Sequence, residues 1–216
     1  MSSSEELLDA LREVVVRGDV WKARQMAEQT VNQGLPANEA LEELIGAMRE
    51  VDEKYERKEF FVVDVAAAAS AMREAFKVLK PHLQVEATKL KGKVVIGALK
   101  GNVQSLGKDI VAAMLRAAGF QVVDVGVDIP PDVFVGAAIH EDAQIIAISV
   151  SMKETVPFLK GVVNQLQQKK LRGKVKILIG GPAVSEQTCE EYGVDAYGKD
   201  ARDGIKKAEN LLRDEA

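Results

Sequence analysis

The spacing of apolar residues changes character once along this chain, near residue 84, and that change constrains the fold more than any other feature. Up to about Leu83 apolar residues recur only at helical spacing. Leu7, Leu8, Leu11, Val14 and Val15 share one face, behind a Ser3/Glu6 pair that reads as a capping box. Asp19 predicts the N-cap of a second helix, with Ala23, Ala27 and Val31 inward and Gly34 as its stop. Pro36 suits the first turn of a third helix, which carries Leu41, Leu44, Ile45, Met48, Val51 and Tyr55. A fourth carries Val65, Ala69, Met72, Phe76, Leu79 and Leu83. None is long enough to be stable alone, so the four stripes must bury one another in a four-helix bundle.

Residues 85–92 are polar and read as a linker. Beyond them, apolar runs at 94–99, 122–125, 145–149, 175–179 and 196–197 alternate with helical segments at 110–118, 131–140, 155–169, 185–192 and 202–212. Strand and helix alternating in this way predict a parallel sheet covered on both faces. The expected architecture is an all-α four-helix bundle over residues 1–84, a linker at 85–92, and an α/β domain over residues 93–216. That domain is expected to be flavodoxin-like (Rossmann-type), with a five-stranded parallel sheet and its crevice between the first and third strands. Ligands of such sheets sit at the carboxyl ends of the strands. Residues 101–107, 126–129, 149–155, 180–182 and 197–200 therefore converge, and they are also the segments richest in Gly and small polar residues.

Composition narrows the function classes. The net charge of -4, with Lys and Arg scattered among acids, gives no basic footprint for nucleic acid. No apolar run approaches membrane-spanning length. The N-terminus, Met1-Ser2-Ser3-Ser4-Glu5-Glu6, lacks the basic and apolar regions of a signal peptide, and a cytoplasmic protein is expected. The single cysteine, Cys189, excludes an intrachain disulfide and reads as a bland, partly buried thiol on a surface helix. The chain shows no cluster of acids, His or Cys that suggests zinc or a nucleophile of its own.

The loop after the first strand, Lys100-Gly101-Asn102-Val103-Gln104-Ser105-Leu106-Gly107-Lys108-Asp109, resembles the signature of the methyltransferase-type corrinoid (cobalamin-binding) proteins. Further resemblance lies in Gly46-Ala47-Met48-Arg49-Glu50-Val51, in Tyr55-Glu56-Arg57-Lys58-Glu59-Phe60-Phe61, and in Ala71-Met72 followed by Leu79-Lys80-Pro81. Asp124-Val125-Gly126-Val127-Asp128-Ile129-Pro130-Pro131, the Ser149 strand end and Gly180-Gly181-Pro182 continue it, so it covers nearly the whole chain. The resemblance implies a helical cap over a Rossmann-like cobalamin-binding domain. It implies a cofactor whose nucleotide tail is detached from cobalt and buried in the α/β domain. Gly180 and Gly181 would admit the tail's planar base, because glycine alone allows close backbone approach. Ser149 matches the serine whose hydroxyl reaches that base. Phe60, Phe61 and Met72 are the cap residues expected over the corrin, where an apolar lid excludes competing chemistry. Gly101, Asn102, Val103, Gln104, Ser105, Leu106, Gly107, Ser151, Thr155 and Tyr197 complete the expected cofactor-binding set.

The chain departs from the family pattern at one chemically decisive point. The signature reads Asp-x-His-x-x-Gly, its histidine being the lower axial ligand of cobalt; here it reads Asn102-Val103-Gln104-Ser105-Leu106-Gly107. Imidazole is a good transition-metal ligand and a carboxylate partner raises its basicity; a neutral carboxamide is poor. Gln104 is therefore not expected to coordinate cobalt, and no protein metal ligand is assigned. Thr155 matches the hydroxyl that completes the family's ligand network. Losing the donor nitrogen is expected to ease reduction of the cobalt, since axial ligation sets the potential. The two histidines, His82 and His140, read as surface or capping residues.

The function implied is that of a corrinoid methyl-carrier subunit in a multi-component methyltransferase or demethylase system. Such a subunit binds cobalamin base-off, here without histidine, and moves a methyl group between two partner methyltransferases. The expected partners are a substrate-specific methyltransferase, an acceptor methyltransferase using tetrahydrofolate or a thiol, and a reductive activase. The alternative is a cobalamin-binding sensor or storage module with no methyl-transfer role.

Overall fold

The computed structural model describes residues 3–83 and 91–213, and the chain divides into two units, residues 1–84 and 85–216. The side chain of Ser3, and with it the Ser3/Glu6 capping box, lies outside the described residues, as does the linker through residue 90.

The first unit contains α1 (Ser3–Val16), α2 (Val20–Asn32), α3 (Ala37–Glu56) and α4 (Val62–Leu79). Leu11, Val15, Leu41, Leu44, Val51, Met72, Phe76 and Leu79 are buried and form its core. α1 packs chiefly on α3, and α2 on α4. The α2–α4 seam is built of small residues: Ala23 and Ala27 on one side, Ala68, Ala71 and Ala75 on the other, all buried. Gly18 extends this close approach into the α1–α2 turn; its φ is 71°, and a Cβ there would lie 2.6 Å from the Ala67 Cβ. Asp19 caps α2 as expected, its Oδ1 accepting from the Lys22 amide at 3.1 Å. The inner stripe of α4 is rotated toward its alanines, leaving Val65 and Ala69 half-buried, and Tyr55 is 48% exposed rather than core. Pro81 cannot donate to the helix, and α4 runs out into a 3-10 turn over Lys80–His82.

The second unit begins earlier than its composition suggests. Lys91 and Gly92, assigned by sequence to the linker, are tied into it: the Lys91 amide donates to the Gly119 carbonyl and Gly92 accepts from the Gln121 amide. The order is then β1 (Lys93–Leu99), α5 (Leu106–Ala117), β2 (Gln121–Ile129), α6 (Pro131–His140) and β3 (Ile145–Ser149). A 3-10 segment (Lys153–Phe158) leads into α7 (Leu159–Gln168), followed by β4 (Lys176–Gly180), α8 (Glu186–Tyr192), β5 (Ala196–Gly198) and α9 (Ala201–Arg213). Pro157 accounts for the 3-10 segment where one continuous helix is expected, because it lacks the amide that would continue an α-helical ladder.

All strand pairs are parallel and lie in the order β2-β1-β3-β4-β5, so β1 and β3 flank the switch point. The alternation of side chains along each strand divides the core in two. Val95, Leu99, Ile146, Ile148, Ile177 and Ile179 pack with Phe134 of α6 and with Leu159, Val162 and Leu166 of α7. Val94, Ile96, Ile145, Ala147, Leu178 and Ala196 pack with Ala112 and Leu115 of α5 and Ala208 of α9. β2 runs through residues 126–129, which read as loop in the sequence. It does so by slipping register against β1 beyond Ile96, with Gly126 at φ 96° and Asp128 at φ 57°.

Candidate cofactor site

Register alone builds the first half of the site. Ala98 pairs with Ser149, Ser149 with Gly180 and Gly180 with Gly198, so one row crosses four strands at their carboxyl ends. By alternation this row shares the α5/α9 face with Ile96, Ala147, Leu178 and Ala196. No residue in the row carries more than a hydroxymethyl group. α9 closes the β5 end, since a Cβ on Gly198 would lie 2.8 Å from the Gly204 Cα. The other end is open: Gly107, in the first turn of α5, is exposed and has nothing within 4 Å of where a Cβ would stand. Ser149 is half-buried, and its hydroxyl has no hydrogen-bond partner among the described residues. The arrangement is a shallow trough between α5 and α9, with one free hydroxyl in its floor.

Gly181 has a separate reason to be glycine. Its φ is 116°, and a Cβ would stand 2.3 Å from the Val150 carbonyl oxygen. The chain needs this close approach with no ligand involved, whereas Gly180 is the member of the pair that belongs to the trough row.

The second half of the site is the loop between β1 and α5, and its polar groups are all engaged. The Lys100 amide donates to the Ile129 carbonyl, and the Gly101 amide to Asp128 Oδ1 at 2.7 Å. Asn102 is 1% exposed. Its Nδ2 donates to the Leu99 carbonyl at 2.8 Å, the Lys100 carbonyl at 3.3 Å and Thr155 Oγ1 at 2.9 Å. Its Oδ1 accepts from the Ser151 amide at 2.7 Å, the Ser151 hydroxyl at 2.8 Å and the Met152 amide at 3.0 Å. Thr155, also buried, passes its own proton to the Met152 carbonyl at 2.7 Å. One side chain thus joins the end of β1, the segment after β3 and the start of the 3-10 helix.

Gln104 stands outside this network. It is exposed and has no partner among the described residues, as is the case for its neighbour Val103, 73% exposed. Ser105 occupies the N-cap of α5 without a side-chain capping bond, and Leu106 is half-buried. The expected chain of hydrogen bonds through Thr155 therefore exists, but it runs to Asn102 and Met152, not to residue 104.

The structure places two expected site residues away from the surfaces expected of them. Tyr197 pairs with Ile179 and packs on the α6/α7 core, so alternation turns it to the opposite face of the sheet from Ser149 and Gly180. Burial and the neighbouring Asp203 push its phenol above the ordinary range. Met72 is 3% exposed within the bundle, where its helical spacing already places it, and is core instead of cap surface. Phe61 differs: it is 68% exposed and begins a run with Val62 and Val63, also exposed, at the start of α4. Phe60 is half-buried, its ring beneath the Lys54 ammonium at 5.2 Å from the centroid.

Sequence reasoning missed Lys108. It is 3% exposed, and its ammonium meets Asp124 Oδ2 at 2.5 Å and Asp109 Oδ1 at 2.8 Å, fastening the first turn of α5 to β2. The signal was present in a lysine at an inward position of an amphipathic helix.

Neither histidine approaches the site from within its own unit. His140 ends α6, at the amino-end side of the strands, beside Glu141, whose carboxyl His140 and Lys93 hold below its usual range. His82 is exposed at the end of the helical unit. Cys189 is half-buried, and burial pushes its thiol up to about 11. Among the described residues no group of three or more His, Cys, Asp or Glu side chains is placed to hold a metal ion, and no helix is long and apolar enough to cross a membrane.

A trough floored by small residues, with one free hydroxyl and an open glycine at its mouth, fits a flat aromatic group better than a charged one. The exposed, rigidly backed loop beside it suits the underside of a large planar ligand. Comparison with known proteins identifies the class to which such a unit belongs. A B12 binding domain matches residues 92–206, and a second B12 binding domain matches residues 7–80. The chain is 36% identical to trimethylamine corrinoid protein 1 of Methanosarcina acetivorans, over 98% of this chain and 100% of that one. It is 34% identical to dimethylamine corrinoid protein 1 of Methanosarcina mazei, over 98% and 99%. The structure of the Methanosarcina barkeri monomethylamine corrinoid protein superposes with a TM-score of 0.80 at 30% identity, covering 97% of this chain and 100% of that chain. The methanol:cobalamin methyltransferase complex of Methanosarcina barkeri contains a similar chain, with a TM-score of 0.55 at 26% identity, covering 96% and 80%. The chain belongs to the B12-binding corrinoid protein family, and its cofactor is cobalamin.

Proposed function

We propose that this chain is the corrinoid methyl-carrier subunit of a methyltransferase system, and that it works between two methyltransferases. Cobalamin, when bound, supplies the cobalt that accepts and surrenders the methyl group. The chain's own residues bind, orient and shield it. The observation that carries the reading is the in-register row of Ala98, Ser149, Gly180 and Gly198, open at Gly107. We assign the nucleotide tail to that trough, with Ser149 donating to its base. The assignment extends to residues 101–107, Ser151 and Thr155 as the support beneath the corrin, and to Phe60 and Phe61 as cap contacts.

Lower coordination by protein is not part of the proposal. Gln104 is a neutral amide without a partner among the described residues, and His140, the histidine of its unit, lies at the opposite end of the sheet. Residues 1–84 are assigned as the cap, a linker runs to residue 90, and the cobalamin unit starts at residue 91. The similarity to tri-, di- and monomethylamine corrinoid proteins supports a methylated amine as donor. We place the protein in the cytoplasm, where a reducing environment suits low-valent cobalt, with an acceptor methyltransferase and a reductive activase as further partners.

Two measurements test this. Electron spin resonance of the loaded chain in its Co(II) form is expected to show no nitrogen splitting from a lower ligand; its presence would overturn the coordination assignment. Mixing the loaded chain, reduced to Co(I) by an added low-potential reductant, with a trimethylamine-specific methyltransferase is expected to demethylate the amine stoichiometrically, and a reduced, loaded chain that accepts no methyl group from any donor system favours a sensor or storage role.

A further inference from the structure

The hydrogen bonds of Asn102 specify more than burial. Four of its six contacts are to backbone groups, whose polarity no rotation can change. Leu99 and Lys100 present carbonyl oxygens and can only accept; Ser151 and Met152 present amides and can only donate. One end of the side chain must therefore donate and the other must accept. Among side chains of this size only an asparagine amide does both without having to bind a proton. Its two hydrogens are shared among three acceptors and its oxygen takes three donors, so nothing is left over for residue 104.

We infer that Asn102 is a fixed-polarity positioning residue: its amide bolts the β1–α5 loop to the segment after β3 and thereby leaves Gln104 unheld. A carboxylate at 102 would keep the accepting end but point its second oxygen at two carbonyl oxygens. The charged groups of the elements around it offer no relief. Lys108 is committed to Asp124 and Asp109, and Asp128 is spent on the Gly101 amide. Lys100 extends over the Phe158 ring, and Lys153 and Glu154, in the 3-10 segment, are exposed. Burial and the two facing carbonyls would act to raise such a carboxyl, against the lowering pull of the Ser151 and Met152 donors that its other oxygen keeps. The consequence for cobalamin, which rests on the function proposed above, is a lower face set by backbone geometry and not by an ionisable side chain.

The test uses the full-length chain free of cobalamin, so its outcome does not depend on cofactor binding. Asn102→Asp changes only the donor end. A carboxyl whose folded pKa is raised adds no pH-dependent cost below its unfolded pKa of about 4; the cost grows from there and levels off above the folded pKa. The variant is expected to melt about 6–10 °C below the parent near pH 8, with the gap narrowing to less than about half of that near pH 5. Thr155→Val removes one acceptor for Asn102, and the hydroxyl's own bond to the Met152 carbonyl, without introducing charge. It is expected to lower melting by about 2–4 °C, equally at both pH values. An Asn102→Asp chain that melts with the parent near pH 8, or whose deficit is as large near pH 5, overturns the inference. Should Asn102→Asp fail to fold near pH 8, recovery of folding near pH 5 supports it and absence of recovery overturns it.

Discussion

The two halves of the candidate site handle their polar groups in opposite ways. Around Asn102 every donor and acceptor is paired within the chain. In the trough, Ser149 leaves its hydroxyl unused among the described residues and Gly107 leaves space unfilled. A protein can leave such groups unspent only where water or a ligand takes them up, because an unmade hydrogen bond at a buried site costs about 1–3 kcal/mol. The difference separates scaffold from ligand surface. Residues whose identity follows from the chain's own packing include Asn102, Gly181 and Thr155. Those whose identity has no internal reason are Ser149, Gly107 and Gln104.

This contrast can be broken by substitution, and the largest effect is expected where packing is tightest. Gly181→Ala sets a Cβ 2.3 Å from the Val150 carbonyl oxygen at φ 116°. Loss of about 3 kcal/mol or more in denaturant unfolding is expected, with cobalamin retention falling in proportion to the folded fraction. Wild-type stability in that variant would remove Gly181 from the scaffold group. Lys108→Ala leaves two carboxylates facing without their cation. Because both are close to 30% exposed, a cost of about 1–3 kcal/mol is expected. The same chevron or melt experiment that reads Gly181→Ala reads this one.

Ser149→Leu sharpens the comparison from the other side. It puts a larger side chain into a row otherwise made of Ala and Gly, on the face away from the α6/α7 core, so thermal stability is expected to change less than cofactor retention. Cobalamin retention on a sizing column should drop by about tenfold or more, equivalent to about 1.4 kcal/mol of binding. A destabilised chain that still binds cofactor would invert the assignment of the two halves. Tyr197→Phe, on the far face of the sheet, is expected to leave cobalamin affinity unchanged; a clear loss would return Tyr197 to the site. The smallest effect concerns Cys189. With its thiol pushed up to about 11 by burial, the reactive thiolate is scarce near pH 8. Alkylation should run about a hundredfold slower than for a model thiol and accelerate as pH rises toward that value.

Much of this arrangement was legible before any coordinates. Strand order and the carboxyl-edge convergence follow from the alternation of strands and helices and from where the Gly-rich and small polar segments fall. What stayed hidden has physical causes. Tyr197 was assigned by its segment, and only the pairing with Ile179 shows that alternation turns it away. The role of Asn102 depends on contacts to residues about fifty positions later, which no local spacing encodes. β2 reads as ending early because Gly126 and Asp128 look like loop residues, although a register slip keeps that stretch in the sheet. Met72 illustrates the converse, where helical spacing already said core and family likeness suggested surface.

The measurement that tests the central claim most directly is an absorption spectrum of the full chain after loading with hydroxocobalamin and removing free cofactor by gel filtration. The account predicts equimolar co-elution with a base-off spectrum, and near-complete loss of colour in the Ser149→Leu chain. A protein that elutes colourless, or that carries cobalamin with its base still on cobalt, would contradict the trough as the seat of the nucleotide tail.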